Sequence, residues 1–157
     1  MGIPVKEIAF IFDIDGTIAS MNYRRHLIEG EHQDWEEFYK QSLGDKPIEQ
    51  TIKLAYWCKN ENIPIFFCTG RQEAYRQTTI DWLAKQNLYT HDYSLLMRHE
   101  LDKRKADEVK RDMLHIVRKQ YNVLLALENE ETITKMYRKE GILCILCGEI
   151  ITDGEVL

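Results

Sequence analysis

IAFIFDIDGT, at residues 8–17, is the segment that decides the fold. Its first five residues form a nearly continuous apolar run, which is typical of a strand buried on both faces of a parallel sheet. Asp13 and Asp15 follow directly, and alternation along an extended segment directs both side chains the same way. Gly16 lets the chain turn tightly after them. The segment therefore predicts a buried strand that ends in a turn carrying two carboxylates.

Two other segments repeat this pattern of an apolar run followed by polar residues. Residues 63–68 precede Thr69-Gly70-Arg71, and residues 122–127 precede Glu128-Asn129. Weaker strand candidates lie at residues 94–97 and 143–147. Helical spacing of apolar residues occurs between the strands, at 48–60, 73–85, 104–119 and 130–140. This alternation predicts an α/β fold with a mainly parallel, five-stranded sheet flanked by helices and joined by right-handed crossovers.

Residues 18–47 interrupt the alternation of strands and helices. They are polar, charged and aromatic, and we interpret them as a small insertion packed over the end of the sheet. The 157 residues are enough to bury a real core. We therefore expect residues 1–157 to form a single domain that contains this insertion.

Composition narrows the class of protein. The net charge of −5 argues against a broad electrostatic nucleic-acid binder, although a few local cations could still hold one phosphate. Cys144 and Cys147 have CxxC spacing, but they lie in an apolar run that predicts a buried strand, and no second cysteine pair accompanies them. The N-terminal sequence resembles neither a secretory signal nor a membrane span. We therefore expect a cytoplasmic protein with reduced thiols and no membrane partner.

The polar residues after the three strong strands predict a site. Ligands of open α/β sheets bind at the carboxyl ends of the strands. Here those ends would collect carboxylates, a hydroxyl, a guanidinium and an amide. A group of carboxylates needs a cation to offset its repulsion, and oxygen ligands favour Mg²⁺.

The two aspartates have a direct chemical interpretation. Asp13 could attack phosphorus to form an aspartyl-phosphate. Asp15 could protonate the leaving oxygen and then deprotonate the attacking water. The alternative is that the two residues only cap a turn, as Asp-Gly sequences often do.

The segment from Asp13 to Thr17 resembles the DxDGT motif of the haloacid dehalogenase (HAD) superfamily of phosphatases, which have a Rossmann-like fold. The resemblance implies that Asp13 is the nucleophile and Asp15 the acid/base. Thr69 resembles the second motif, and Lys110 stands where the third motif supplies a lysine that holds the phosphoryl group. The resemblance implies that Mg²⁺ is bound by Asp13, Asp15 through its carbonyl, Glu128 and Asn129.

Within that superfamily the chain is similar to the 3′-phosphatase domain of phage-type polynucleotide kinase/phosphatase. The similar segments include Asp45-Lys46-Pro47-Ile48, Thr69-Gly70-Arg71 and Asp102-Lys103-Arg104-Lys105. This resemblance implies that residues assisting substrate binding are Arg24, Arg71, Gly70 and Thr17.

The cationic residues Arg24, Arg71 and Lys110 also have simpler interpretations. Arg24 could be a solvated surface residue. Arg71 could pair with Glu73 or Glu130 at the start of a helix. Lys110 lies in a helix rich in cations, most of which must face water.

The chain departs from the family pattern at two positions. Asn129 stands where a second aspartate is common, and Ala106 stands where an acid usually precedes the motif lysine. One carboxylate fewer about 4 Å from a cation removes up to ~4 kcal/mol of attraction at an effective dielectric of about 20. We therefore expect weaker Mg²⁺ binding.

The sequence supports one leading hypothesis and two alternatives. The leading one is a Mg²⁺-dependent phosphatase that removes 3′-phosphates from nucleic-acid ends. The alternatives are a general nucleotide or small-metabolite phosphatase and a non-enzymatic binding module on a degenerate HAD scaffold. Tyr23, Trp35 or Phe38 could stack on a base, although local packing of the insertion is the favoured interpretation of these three residues. No GxxxxGK[ST] loop is present, so any partner kinase is expected to be a separate chain.

Overall fold

A computed structural model of the chain describes residues 5–148, 151–152 and 155–156. Its main sheet has five strands in the order β5-β4-β1-β6-β7, and every neighbouring pair is parallel. These strands are β1 (Ile8–Phe12), β4 (Ile65–Gln72), β5 (Leu95–Arg98), β6 (Asn122–Glu128) and β7 (Leu143–Leu146). The predicted parallel five-stranded α/β sheet is therefore confirmed.

Two short antiparallel pairs lie outside this sheet. Their strands are β2 (Ala19–Ser20) with β3 (Lys46–Pro47), and β8 (Ile151–Thr152) with β9 (Glu155–Val156). The first pair lies within the predicted insertion, where Ala19 opposes Pro47 and Ser20 opposes Lys46. The pair closes residues 18–47 into a compact segment.

Four of the five α-helices of the described residues lie close to their predicted positions, and the first, within the insertion, was not predicted. The five are α1 (Trp35–Lys40), α2 (Glu49–Asn60), α3 (Arg76–Lys85), α4 (Ala106–Arg118) and α5 (Glu131–Lys139). The helix predicted from residue 73 begins instead with a 3₁₀ turn at Glu73–Tyr75. None of these helices combines the length and apolar character that a membrane-spanning helix needs.

The central strand β1 separates two apolar cores. Ala9 and Ile11 face one core, which contains residues of α4 and α5. Phe10 and Phe12 face the other core, together with residues of α2 and α3. All four side chains are buried, which explains the unbroken apolar sequence that predicted the strand.

Strand β7 differs from the prediction of a buried strand at residues 142–147. It lies at the edge of the sheet, and only one of its faces is covered, by α5. Cys144 on the covered face is 2% exposed, whereas Leu143 on the other is 69% exposed. The apolar run predicted the strand correctly. It could not show that one face of this strand lacks a covering helix among the described residues.

The insertion packs over the carboxyl ends of the strands. The rings of Tyr39 in α1 and Tyr75 before α3 are 5.0 Å apart. The indole Nε1 of Trp82 in α3 donates to the backbone carbonyl of Asp45 at 2.8 Å. These contacts hold residues 18–47 beside the polar residues that follow β1 and β4.

We expect two identical substitutions to have very different effects on stability. Leu114→Ala removes a fully buried side chain of α4 and should lower the free energy of unfolding by about 2–5 kcal/mol. Leu143→Ala, on the exposed face of β7, should change it by less than about 0.5 kcal/mol. Urea unfolding of both variants measures the difference, and equal losses would contradict the assignment of the two faces.

Candidate active site

The ends of three adjacent strands bring the main predicted residues together. Strand β1 lies between β4 and β6, so Asp13 after β1 is flanked by Thr69 of β4 and Glu128 of β6. The backbone N–H of Asp13 donates to the carbonyl of Leu127 at 3.0 Å, which fixes the two strand ends together. All three polar side chains are buried, at 5% exposure or less.

Lys110 of α4 joins two of these carboxylates. Its Nζ lies 2.6 Å from Asp13 Oδ1 and 2.5 Å from Glu128 Oε2, and the residue is only 3% exposed. Burial alone would lower the pKa of Lys110, but the two carboxylates outweigh burial and hold that pKa well above its usual range. The interpretation of Lys110 as a water-facing cation is therefore wrong.

Asp13 has an environment that resists its negative charge. Burial and the nearby Glu128 carboxylate raise the pKa of Asp13 to about 7, although Lys110 acts in the opposite direction. Thr17 also favours the ionised form, because its hydroxyl donates to Asp13 Oδ2 at 3.1 Å. Additional positive charge near Oδ2 would keep Asp13 ionised at neutral pH.

Asp15 lies in a different electrostatic environment, formed by two arginines. Arg24 Nη2 lies 2.6 Å from Asp15 Oδ1, and Arg71 places Nε 2.9 Å from Oδ2 and Nη2 2.7 Å from Oδ1. Burial acts to raise the pKa of Asp15, but Arg71 and Arg24 together depress it far below its usual range. The predicted acid/base residue is therefore held in its ionised form by the predicted substrate-binding arginines.

The simpler interpretations of both arginines are wrong. Arg24 and Arg71 are fully buried, so Arg24 is not a solvated surface residue. Arg71 pairs with Asp15 rather than with Glu73 or Glu130. Glu73 pairs instead with Arg76 at 2.7 Å. The guanidinium carbon of Arg24 lies 3.9 Å from the ring centroid of Phe38, a cation–π contact that sequence spacing could not show.

Asp45 is the functional residue that the sequence analysis missed. Arg24 donates to both of its carboxylate oxygens, through Nε at 2.7 Å and Nη2 at 2.6 Å. Arg71 Nη2 lies 3.3 Å from Asp45 Oδ2. Two buried arginines are thus balanced by the two carboxylates of Asp15 and Asp45. Asp45 lies in a segment that resembled the related family, which was the available signal, but nothing in the sequence placed it beside Arg24.

Four oxygen-bearing groups meet at the end of β1, namely the side chains of Asp13, Glu128 and Asn129 and the backbone carbonyl of Asp15. With its NH₂ turned inward, the Asn129 side chain donates to Asp13 Oδ2 and the Asp15 carbonyl, both at 3.1 Å, and to Glu128 Oε1 at 3.0 Å. Gly16, with φ of +78°, makes this approach possible, because a Cβ there would lie 2.2 Å from a terminal atom of the Asn129 amide. These residues are the ones predicted to bind Mg²⁺.

The donor set fits Mg²⁺ better than a softer metal. It comprises two carboxylates, an amide and a backbone carbonyl, which are all hard oxygen ligands. In the described part of the chain, no three His, Cys, Asp or Glu side chains are grouped so that they could hold a metal by themselves. A metal here therefore depends on Asn129 and the Asp15 carbonyl as well as on Asp13 and Glu128.

Gly70 and Thr17, which were predicted to bind substrate, make no contact that defines such a role. Gly70 follows Thr69 within β4, where the register with β5 shifts between Thr69 and Gln72. Thr69 Oγ1 accepts from the backbone N–H of Arg71 at 3.2 Å. Thr17 contacts Asp13, and so lies beside the nucleophile.

An open cleft of about 980 Å³ begins at this site. Gly16 and Asn129 form its inner end, and most of its wall comes from the insertion and the start of α2. Its wall includes the cations Arg25 and Lys46 and the ring of Tyr23. The cleft thus reaches Gly16 and Asn129, which adjoin Asp13, but Asp13 itself is not among its lining residues. A smaller cavity of about 290 Å³, lined by the first residues of β4 and by residues just before β5, contains none of the predicted site residues.

The three aromatic residues considered for base stacking differ in exposure. Phe38 is 2% exposed and packs under Arg24, so it is part of the core of the insertion. Trp35 is half-exposed, but its ring lies 5.6 Å from that of Phe38 and 5.9 Å from that of Tyr39. Tyr23 is 46% exposed and lines the cleft. Local packing therefore accounts for Phe38 and Trp35. Tyr23 lines the cleft, and its hydroxyl also donates to the backbone carbonyl of Gln41 within the insertion.

The parallel sheet and the Lys110-bridged carboxylates define the class of the chain, a phosphatase of the haloacid dehalogenase superfamily. Residues 7–149 match the family model of the polynucleotide kinase PNKP phosphatase domain. The chain therefore belongs to that family.

Three solved structures illustrate the similarity. A chain of the Pnkp1/Rnl/Hen1 RNA repair complex is 25% identical with a TM-score of 0.78, over 91% of this chain and 43% of that one. A second structure of the Pnkp1/Rnl/Hen1 complex gives 25% identity and a TM-score of 0.76, over 91% and 46%. The class C acid phosphatase from Bacillus anthracis with tungstate bound is 13% identical with a TM-score of 0.69, over 92% and 68%, which shows the fold alone. The present chain thus spans less than half the length of the two Pnkp1-complex chains.

We expect Asp45→Asn to destabilise the protein substantially. The substitution leaves the buried Arg24 and Arg71 with one balancing carboxylate, and breaking such a pair costs about 3–5 kcal/mol. Chemical denaturation measures the loss. Asp81→Asn is the matched control, because Asp81 is exposed and accepts only a surface hydrogen bond from Gln77. Equal stability of the two variants would show that the Asp45 carboxylate is not needed to balance the arginines.

Proposed function

We propose that the chain is a Mg²⁺-dependent phosphomonoesterase that works through an aspartyl-phosphate on Asp13. The observation that carries this proposal is the contact of Lys110 with both Asp13 and Glu128, beside the oxygen cluster completed by Asn129. A lysine in this position can hold the phosphoryl group as well as the nucleophile. The proposal also needs the Asp15 carbonyl, Glu128 and Asn129 as metal ligands, and Thr69 as a hydroxyl donor to phosphoryl oxygen.

The reaction divides into two displacements at phosphorus. In the first, a carboxylate oxygen of Asp13 forms a bond to phosphorus while the ester oxygen leaves and takes a proton from Asp15. In the second, a water molecule loses a proton to Asp15 and attacks phosphorus, which frees Asp13 and inorganic phosphate. When bound, Mg²⁺ supplies positive charge beside the nucleophile and the phosphoryl oxygens.

The arginine pair gives the acid/base step its timing. Asp15 can donate a proton only after its hold by Arg24 and Arg71 weakens, because both guanidiniums stabilise its ionised form. A substrate phosphate brings negative charge that competes for the same guanidiniums. This mechanism therefore requires both buried guanidiniums to turn from Asp15 toward the substrate, which would raise the proton affinity of Asp15.

Asp13→Asn should abolish turnover of a generic aryl phosphate, with a loss of about a thousandfold or more, because the amide cannot form the intermediate. Phosphate release in the presence of Mg²⁺ measures the activity, and circular dichroism confirms that the fold is kept.

Asp112→Asn provides the control for this experiment. It makes the same chemical change at an exposed carboxylate of α4 that pairs with Arg104 at 2.8 Å. Its activity should match that of the unmodified protein. Substantial activity in Asp13→Asn would refute nucleophilic catalysis by Asp13.

We further propose that the natural substrate is a 3′-phosphate on a nucleic-acid end. The family and the similarity to chains from an RNA repair complex favour such a substrate. The cleft of about 980 Å³ has room for more than a phosphate group, and Tyr23 in its lining offers a ring for a base. Lys46 and Arg25 supply local positive charge on a chain whose net charge is −5.

A substrate panel tests this choice. We expect 3′-phosphorylated oligonucleotides to be hydrolysed with a higher kcat/KM than mononucleotides or sugar phosphates. Tyr23→Ala should lower kcat/KM for the oligonucleotide by about tenfold through lost stacking, with little effect on the aryl phosphate. Tyr23→Phe, which keeps the ring, is the matched control.

A clear preference for a sugar phosphate would favour the general metabolite phosphatase instead. An equal loss in Tyr23→Ala on both substrates would mean that Tyr23 supports the fold of the insertion rather than the base.

A further inference from the structure

Asn129 has a side chain that can serve the site in two orientations. With the NH₂ turned inward, the amide donates to Asp13, Glu128 and the Asp15 carbonyl. With the amide turned by 180°, its oxygen takes that same position and becomes the fourth oxygen of the cluster. The first orientation places two N–H groups among three acceptors, and the second requires a cation between the oxygens.

The spacing of the cluster suits both orientations. The inner amide atom lies 3.1, 3.1 and 3.0 Å from its three oxygen neighbours. Ligand oxygens at right angles around Mg²⁺, with bonds of 2.0–2.1 Å, are about 2.9 Å apart. N–H···O hydrogen bonds have nearly the same length. One amide position therefore serves as hydrogen-bond donor and as metal ligand with almost no movement of its neighbours.

We propose that Asn129 is a two-way amide, which holds the Mg²⁺ ligands in place by donating to them without the metal and turns to ligate Mg²⁺ when it binds. This inference rests on the Mg²⁺ site of the proposed function. Gly16 leaves room beside the amide, because a Cβ at that position would lie 2.2 Å from its outer terminal atom.

The amide also answers a problem of charge at this site. Lys110 is the lysine that contacts Asp13 and Glu128, and a carboxylate at position 129 would add a negative charge that cannot donate a hydrogen bond. The amide adds no charge and adds two N–H donors to those that Thr17 and the backbone already provide to Asp13 and Glu128. Its cost is weaker attraction for Mg²⁺, because an amide oxygen carries only partial charge. Compared with aspartate, asparagine at position 129 thus favours the stability of the metal-free protein and lowers its affinity for Mg²⁺.

The test is the response of two variants to Mg²⁺ alone. In EDTA, Asn129→Asp should melt several degrees below the unmodified protein, because three acceptors lose their donor and gain a neighbouring charge. In calorimetry the same variant should bind Mg²⁺ with a Kd about tenfold or more lower. Asn129→Ala should melt lower in EDTA and also bind Mg²⁺ more weakly, because it can neither donate nor ligate.

The outcomes separate this inference from the proposed function. An Asn129→Asp variant that melts in EDTA at or above the temperature of the unmodified protein would overturn the two-way amide, since Asn129 would then be only a weak ligand. Failure of the unmodified protein to bind Mg²⁺ at millimolar concentration would instead contradict the Mg²⁺ dependence itself. If Asn129→Asp folds only with Mg²⁺ present, that result supports the inference.

Nuclear magnetic resonance provides a readout on the unmodified protein. The side-chain NH₂ signal of Asn129, assigned by its loss in Asn129→Ala, should be protected from solvent exchange in EDTA and should shift and lose protection when Mg²⁺ is added. An NH₂ signal that exchanges freely in EDTA would overturn the inference without any need for a stable variant.

Discussion

The burial of Asp13, Asp45 and Glu128, together with the partial burial of Asp15, is the constraint on which the rest of the structure depends. Ionised groups removed from water cost several kcal/mol each unless cations and hydrogen bonds offset the loss. The chain meets this cost with two separate cationic groups. Lys110 serves Asp13 and Glu128, and the pair Arg24 and Arg71 serves Asp15 and Asp45. Helix α4 and the insertion place Lys110 and Arg24 beside these carboxylates.

The two cationic groups come from elements with different structural support. Lys110 projects from α4, whose neighbouring residues Val109 and Met113 are buried in the core next to β1. Arg24 comes from the insertion, which has little apolar core of its own and relies on contacts such as the Phe38 ring under the guanidinium. Asp45 and Arg71 then tie the insertion to β4. The cluster of Arg24, Arg71, Asp15 and Asp45 therefore attaches the insertion to the sheet and is also a candidate phosphate site. Substitutions in this cluster should affect folding and activity together.

The sequence predicted those parts of the molecule that depend on local pattern. Unbroken apolar runs gave the buried strands, and polar residues directly after them gave Asp13, Thr69 and Glu128, because the carboxyl ends of parallel strands share one edge. Lys110 was distinguished from its cation-rich neighbours by the resemblance of its position to the third motif.

Long-range pairing was not accessible from the sequence. Asp45 lies 21 residues from Arg24 along the chain, and no periodicity connects them. The burial of Arg24 depends on Phe38 and on two carboxylates from other segments, so its sequence context of Tyr23-Arg24-Arg25-His26 could suggest a surface residue. The exposed face of β7 was missed for a similar reason. An apolar run shows that a strand can be buried, but the covering helix is a property of the whole fold.

Asp13 and Asp15 lie two residues apart and have pKa values shifted in opposite directions. Separated pKa values usually identify which carboxyl group acts as the acid, and here they do so in the reverse of the proposed roles, since the nucleophile is raised and the acid/base depressed. External charge resolves this. A cation among the oxygens around Asn129 lowers the pKa of Asp13, and a phosphate anion that engages Arg24 and Arg71 raises that of Asp15. The proposed roles thus depend on two ligands, since the metal favours the ionised form of Asp13 and the substrate phosphate favours the protonated form of Asp15.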